Sequence, residues 1–248
     1  MKTRTLSFFL VVSLVLISCN LLTNVGVRSI TPSNTIISEN RDVSGFNAIQ
    51  FGTLGKVNLI QGEQESLNIS GPDNLVPEIS TTVSNGTLVI KNKNNITINP
   101  LGANNPLTFT IVVKELTSFS VSGAGDVQIE PLDTPSLEIS MSGAGQIVQN
   151  QLTADDLKIN LSGLGSIDIS GQVPQASIDI SGAGNVNAPD LQLQTAKVTI
   201  SGLGGATLWV TEQLTGSISG AGSVSYYGNP QTNTSSSGVG QFKSLGDK

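Results

Sequence analysis

An all-β solenoid is the fold this sequence predicts, and three observations predict it. A Ser-Gly-x-Gly tetrapeptide recurs at Ser122, Ser142, Ser162, Ser181, Ser201 and Ser219, with a looser copy at Ser237. The steps between these serines are 20, 20, 19, 20, 18 and 18 residues, and a fixed period of this length marks repeats that stack on one another. Between the tetrapeptides apolar and polar residues alternate with period two and helical spacing is absent, as in half-buried strands.

Each repeat carries the same parts in the same order. Before the glycine turn, Leu137, Ile139 and Met141 alternate with Glu138, Ser140 and Ser142. Leu157, Ile159 and Leu161 do the same in the next repeat, followed by Ala176, Ile178 and Ile180, then Ala196, Val198 and Ile200. A shorter strand follows each turn, marked by Val127 and Ile129, Ile167 and Ile169, Val186 and Ala188, Leu208 and Val210. Pro131, Pro135, Pro174 and Pro189 punctuate the connections.

One repeat is therefore one coil, and coils stack about 4.8 Å apart. Equivalent residues then form columns. Met141, Leu161, Ile180, Ile200 and Ile218 make an inward apolar column, each side chain contributing about 1.5–3 kcal/mol on burial. The serines form an outward column beside it, and Glu138 falls next to Lys158 as a surface ion pair worth under about 1 kcal/mol. The turn glycines are Gly123, Gly125, Gly143, Gly145, Gly163, Gly165, Gly182, Gly184, Gly202, Gly204, Gly220 and Gly222. They are expected at positive φ, which glycine adopts cheaply. The residue between each pair, from Ala124 to Ala221, is expected to point into a tight corner.

Residues 41–116 lack the tetrapeptide but remain strand-like. Phe46, Ile49 and Phe51, Val57 and Leu59, and Leu67 and Ile69 mark short strands, and Leu107, Phe109, Ile111 and Val113 alternate cleanly. Asn85-Gly86 between strand formers signals a hairpin. This part either caps the solenoid or forms a small β unit packed on it, ahead of the repeat part at 117–245.

The N-terminus gives an address. Lys2 and Arg4 precede an apolar run from Leu6 to Ile17, too short for a membrane span and suited to a secretory signal over residues 1–18. The run ends at Leu16-Ile17-Ser18-Cys19, which resembles the bacterial lipobox; lipidation would make Cys19 the first mature residue. Cys19 is the single cysteine, so no intramolecular disulfide forms. Residues 19–40 read as a polar tether, and the acyl chains would hold the protein on an extracytoplasmic membrane surface of the bacterial envelope.

Composition narrows the chemistry. Removing residues 1–18 takes away Lys2 and Arg4 and leaves ten basic against 18 acidic residues, a net charge of −8. No basic patch invites nucleic acid. The chain has no histidine, which removes the commonest general base and transition-metal ligand. Asp126, Asp155, Asp156, Asp168 and Asp179 are the acid–base candidates, but their register differs from coil to coil, whereas a glycosidase needs two carboxylates converging on one bond. The calcium-binding Gly-Gly-x-Gly-x-Asp repeat is missing, and the glycine turns lack the lysine and helix of a phosphate loop. The sequence therefore predicts no enzyme, no cofactor and no metal site.

Two surface features invite a ligand. The serine column presents hydroxyls, although such columns usually satisfy neighbouring backbone. Trp209, the only tryptophan, should point outward between Leu208 and Val210, with Tyr226 and Tyr227 at a similar place one coil later. An exposed aromatic cluster suits sugar stacking or a protein contact; the alternative is that it covers a loop or the solenoid end.

Two stretches carry a family resemblance. One runs from Arg41-Asp42-Val43-Ser44-Gly45-Phe46-Asn47-Ala48-Ile49 through Val57-Asn58-Leu59-Ile60-Gln61-Gly62 to Asn85-Gly86-Thr87-Leu88-Val89-Ile90; the other is the series of glycine turns. Over residues 41–245 the chain resembles the bacterial auto-transporter adhesin, head GIN domain family. The Gly-Ser-Gly-Asp turn frequent in that family appears only in part, at Gly123-Ala124-Gly125-Asp126. The resemblance implies a single-stranded right-handed β-helix, similar in shape to pectate lyases but without their catalytic residues. It also implies a role in cell adhesion. Together with the lipobox-like N-terminus, the first reading is a surface-anchored, non-catalytic binding or adhesion module, with a glycan or an envelope protein as the expected partner. The alternatives are a structural envelope spacer that associates with its own kind and, least supported, a polysaccharide-cleaving β-helix.

Overall fold

The computed structural model describes residues 28–99 and 106–248, and its body is a stack of parallel β-coils. On the first face, Ser118–Val121, Ser136–Met141 and Asp156–Leu161 lie side by side in parallel register. The last parts of Leu164–Ile180, Asn185–Ile200 and Gly205–Ile218 follow, and Gln231–Ser236 closes the row. On the second face, Ala124–Ile129 and Ala144–Thr153 are followed by the first parts of the same three long strands, then by Ser223–Tyr227 and Gln241–Ser244. A short third side, represented by Leu132–Asp133 against Leu152 and Thr153, completes each coil.

The inward column is continuous and longer than the repeats alone predict. Ile90, Phe51, Val121, Met141, Leu161, Ile180, Ile200 and Ile218 are stacked in successive register and all buried. Period-two alternation puts them on one side of the sheet, and stacking turns each inward position into a ladder across coils. One polar residue interrupts the apolar interior of the second face. Gln149 sits between Ile129 and Ile169, fully buried, and its Nε2 donates to the Asn150 carbonyl at 3.0 Å.

The described parts of 41–116, residues 41–99 and 106–116, both continue the stack and close its end. Ala48–Gly52 pairs with Ser118–Val121, and Leu54–Gln61 pairs with Ala124–Ile129, so they form a coil of the same body. Thr87–Asn92 and Thr108–Val113 lie on the far side of that coil. Spatial order thus departs from chain order: the earliest coil is sandwiched between two later ones. Three antiparallel strands then cover the end, with Ile79–Ser84 on Thr87–Asn92, Ser66–Pro72 on Thr108–Val113, and Ile36–Arg41 on Ser66–Pro72. Asn85 and Gly86 join the first pair with φ of 49° and 74°, the twisted two-residue hairpin that Asn-Gly favours. Larger side chains fill this end, and the Phe51 and Phe109 rings meet edge-to-face at 5.1 Å.

The tether expected over residues 19–40 does not extend across residues 28–40, and its first part lies outside the described residues. Arg28–Ile30 pairs in parallel with Ile96–Ile98, Ile36–Arg41 belongs to the capping layer, and Arg28 forms an ion pair with Glu78. Residues 28–40 are therefore part of the folded body. The opposite end finishes differently. In Gln231–Ser236 the inward positions become Thr232, Thr234 and Ser236, and the whole strand is exposed. Terminal repeats need such a polar outer layer.

Candidate binding faces

The glycine columns build the corner between the first and second faces. Of the predicted turn glycines only Gly145 and Gly165 take positive φ, at 133° and 151°. The expectation of a left-handed turn is corrected for the other ten. Their requirement is steric. A Cβ on Gly143, Gly163, Gly182, Gly202 or Gly220 would fall closer than 3.0 Å to the carbonyl oxygen of the equivalent glycine in the coil before it. The same holds for Gly145, Gly165, Gly184, Gly204 and Gly222 in the second column. In the first repeat, Gly123 and Gly125 are held as closely by the Thr53 and Gly55 carbonyl oxygens. Hydrogen bonds such as Ala144 N to Gly123 O at 3.1 Å and Leu164 N to Gly143 O at 3.0 Å run between these corners.

The residue between the glycines points outward rather than into a tight corner, the reverse of the expectation. Ala124, Ala144, Ala183 and Ala221 are exposed, and Leu164 and Leu203 are 63% and 73% exposed. The serines beside them are exposed as predicted. Ser142 Oγ donates a long hydrogen bond to the Val121 carbonyl at 3.5 Å.

The aromatic cluster divides. Trp209 and Tyr227 are register partners on the outward side of adjacent coils. Tyr226 pairs with Leu208 in the inward column and packs against the core, so its predicted place in the exposed cluster is corrected. Alternation decides this, because neighbours in a strand face opposite ways. The Lys248 Nζ stands over both outward rings, 5.0 Å from the Trp209 centroid and 5.8 Å from that of Tyr227.

A shallow groove of about 560 Å³ crosses the coils on the first face, lined in part by Lys158, Gln175, Ser177, Thr195, Lys197 and Gln213. Beneath it Ala176 and Ala196 occupy the inward column where Leu157 and Leu214 stand in the flanking coils. Smaller interior side chains let the face sink there. Sequence reasoning missed this groove; its signal was the change from leucine to alanine in two consecutive repeats. The predicted Glu138–Lys158 ion pair lies at one edge of this face at 2.9 Å, with Asn160 Nδ2 donating to Glu138 at 2.8 Å.

Asp168 is tied into a polar ladder on the second face. Its carboxylate accepts from Gln146 Nε2 and Asn187 Nδ2, each at 2.7 Å, and from Ser166 Oγ at 3.1 Å. Burial alone would raise its pKa; these three hydrogen bonds outweigh burial and hold the carboxyl below its ordinary value. A carboxylate so held is a poor proton donor at neutral pH. Among the described residues no cluster of three or more His, Cys, Asp or Glu is placed to hold a metal ion. Cys19 lies outside the described residues.

Fold and surface together define a class: an all-β solenoid with long, mostly uncharged outer faces. The chain belongs to the family described as "Putative auto-transporter adhesin, head GIN domain", which matches residues 45–230. A crystal structure of a "putative adhesin" from Bacteroides fragilis is similar at 30% identity and a TM-score of 0.82, covering 87% of this chain and 100% of that one. A "putative lipid binding protein" from Parabacteroides distasonis shares the fold at 23% identity and a TM-score of 0.69, covering 88% and 100% of the two chains. A "putative adhesin" from Parabacteroides merdae does so at 20% identity and a TM-score of 0.64, covering 88% and 99%. No curated protein matches the sequence.

Proposed function

We propose that this protein is a non-catalytic binding module of the bacterial cell envelope, held on an extracytoplasmic membrane surface by lipid on Cys19. The observation that carries the reading is the groove across the first face. It runs over several coils, is open, and offers amide, hydroxyl, ammonium and carboxylate groups, the last from Asp156. That layout suits an extended polymer better than a compact metabolite, which a deep apolar pocket would enclose. The partner is a glycan or an envelope protein. Relatives described as adhesins support a binding role, and aspartates that do not converge in pairs argue against glycoside hydrolysis.

The test is binding of residues 28–248 to a panel of polysaccharides and envelope fractions, with supernatants assayed for cleavage products. Saturable binding without product, weakened by Lys197→Ala or Ser177→Trp in the groove, is the expected result. Release of product would overturn the non-catalytic reading.

A second reading has its own observation. Gln231–Ser236 is an exposed strand of uncharged residues on the end of the first face, and such an edge can pair with another chain. A structural role through self-association would show as a concentration-dependent rise in mass, with no soluble ligand bound.

A further inference from the structure

We propose that Trp209, Tyr227, Asp190 and the Pro189 carbonyl form a recognition site for a primary ammonium group, the side chain of a lysine on a partner protein. The inference rests on the reading of the protein as an envelope binding module and names the partner chemistry of its aromatic face.

The site is built by a length difference between coils. The strand Asn185–Ile200 carries Pro189, Asp190 and Leu191 where the next coil has no counterpart: Ala188 pairs with Leu208, and the next pair is Gln192 with Trp209. At this bulge the Pro189 carbonyl and the Asp190 carboxylate lie close enough to accept from the same donor, Lys248 Nζ. Trp209 and Tyr227 follow in the adjacent coils, with rings outward. The result is two aromatic faces, one carboxylate and one carbonyl around a single space.

That space already holds an ammonium. Lys248 Nζ donates to the Pro189 carbonyl and to Asp190 Oδ1 while lying over both rings. Its side chain is 28% exposed, against 54% for Lys158 in an ordinary surface pair. The chain is delivered by an extended segment, with Leu245 N bonded to Tyr226 O at 2.8 Å and Gly228 N to Gly246 O at 2.9 Å. Lys248 is thus an internal ligand that displays the chemistry the site accepts. Ring quadrupoles attract any cation, but the two oxygen acceptors need N–H donors, which a quaternary ammonium lacks. The site therefore selects a primary amine. An acidic protein also draws cationic partners by its long-range field.

Lys248 competes for the site as a tethered group, at an effective concentration of order millimolar. A ligand supplied from outside binds better once it is removed. The experiment uses Trp209 fluorescence, a single-site signal because the chain has one tryptophan. Nα-acetyl-lysine methylamide is titrated into the wild type, Lys248→Gln, and Lys248→Gln with Asp190→Asn, with unchanged far-UV circular dichroism as the folding control. Choline and O-phosphoethanolamine are titrated in parallel at matched ionic strength.

The expected result is a saturable change in Lys248→Gln, weaker by about tenfold in the wild type and lost in the double variant. Choline should bind about tenfold more weakly than the lysine derivative, for want of N–H donors. No saturable response in Lys248→Gln, or an equal response after Asp190→Asn, would overturn the site. Equal or tighter binding of choline or phosphoethanolamine would overturn the assignment to lysine. A saturating titration alongside a silent envelope panel would sink the wider reading and leave the site standing; the reverse pattern would remove only the site.

Discussion

Gly216 leaves the space that Phe242 fills. A Cβ on the glycine would lie 2.5 Å from Phe242 Cε1 and 2.6 Å from Cζ, so the ring reaches into the inward column where the preceding coil has Val198. Phe242 therefore acts as a plug at the polar end of the stack. Phe242→Ala should cost about 2 kcal/mol in the wild type, less than a fully buried phenylalanine because the ring is half-exposed. In a Gly216→Val background the ring has no room, and the same change should cost well under 1 kcal/mol. A double-mutant cycle in urea measures the coupling; additivity would show that the ring does not use this space.

Gly163→Ala should destabilise by about 3 kcal/mol or more, lowering Tm by roughly 6–12 °C, because the new methyl group meets backbone that two stacked coils hold in place. Ala144→Leu, one residue beyond Gly143 on the same corner, should stay within about 0.5 kcal/mol, as Leu164 and Leu203 already stand exposed at the equivalent place. Thermal unfolding of the two variants separates crowding between coils from general intolerance of the turn.

These corners show where the sequence was legible and where it was not. Period two identified the inward ladder from Met141 to Ile218, and the serine spacing identified the coil, because burial and stacking act on every repeat alike. The reason for the glycines was hidden, since a requirement for left-handed φ and a requirement for close backbone approach both select glycine. Tyr226 and Tyr227 were read together although alternation separates them. The Lys248 contact depends on the bulge at Pro189-Asp190-Leu191, which pairwise register reveals and composition does not.

Asp168 should make stability depend on acid. Its folded pKa lies below the unfolded value of 3.8, so the carboxylate contributes its stabilisation above the unfolded pKa and loses it as pH falls through the folded one. Asp168→Asn should cost about 1 kcal/mol at pH 7, allowing for solvent screening, and progressively less as pH falls below 3.8. Urea unfolding of both proteins across this range checks the sign; a constant difference at every pH would remove the ionised carboxylate from the account.

Cys19→Ser should move the protein from the membrane fraction to the soluble fraction, because acyl chains attached there would supply the anchor. Membrane retention equal to that of the wild type would sink the proposed lipid attachment.

The displaced coil has a consequence for how the chain acquires its structure. Ala48–Gly52 and Leu54–Gln61 need Thr87–Asn92 and Thr108–Val113 on one side and Ser118–Val121 and Ala124–Ile129 on the other, and pairs such as Phe51 with Val121 are roughly 70 residues apart in sequence. The first coil to emerge during synthesis therefore cannot be completed by its immediate successors. A long loop must close before the glycine-cornered repeats have a template, and that closure carries the entropic cost. After it, each further repeat needs only to zip onto its neighbour. Assembly has one slow gate near the amino-terminal end and rapid growth beyond it, so substitutions that slow refolding should concentrate around Phe51, Phe109 and Phe119, while those in the last coils act mainly on unfolding.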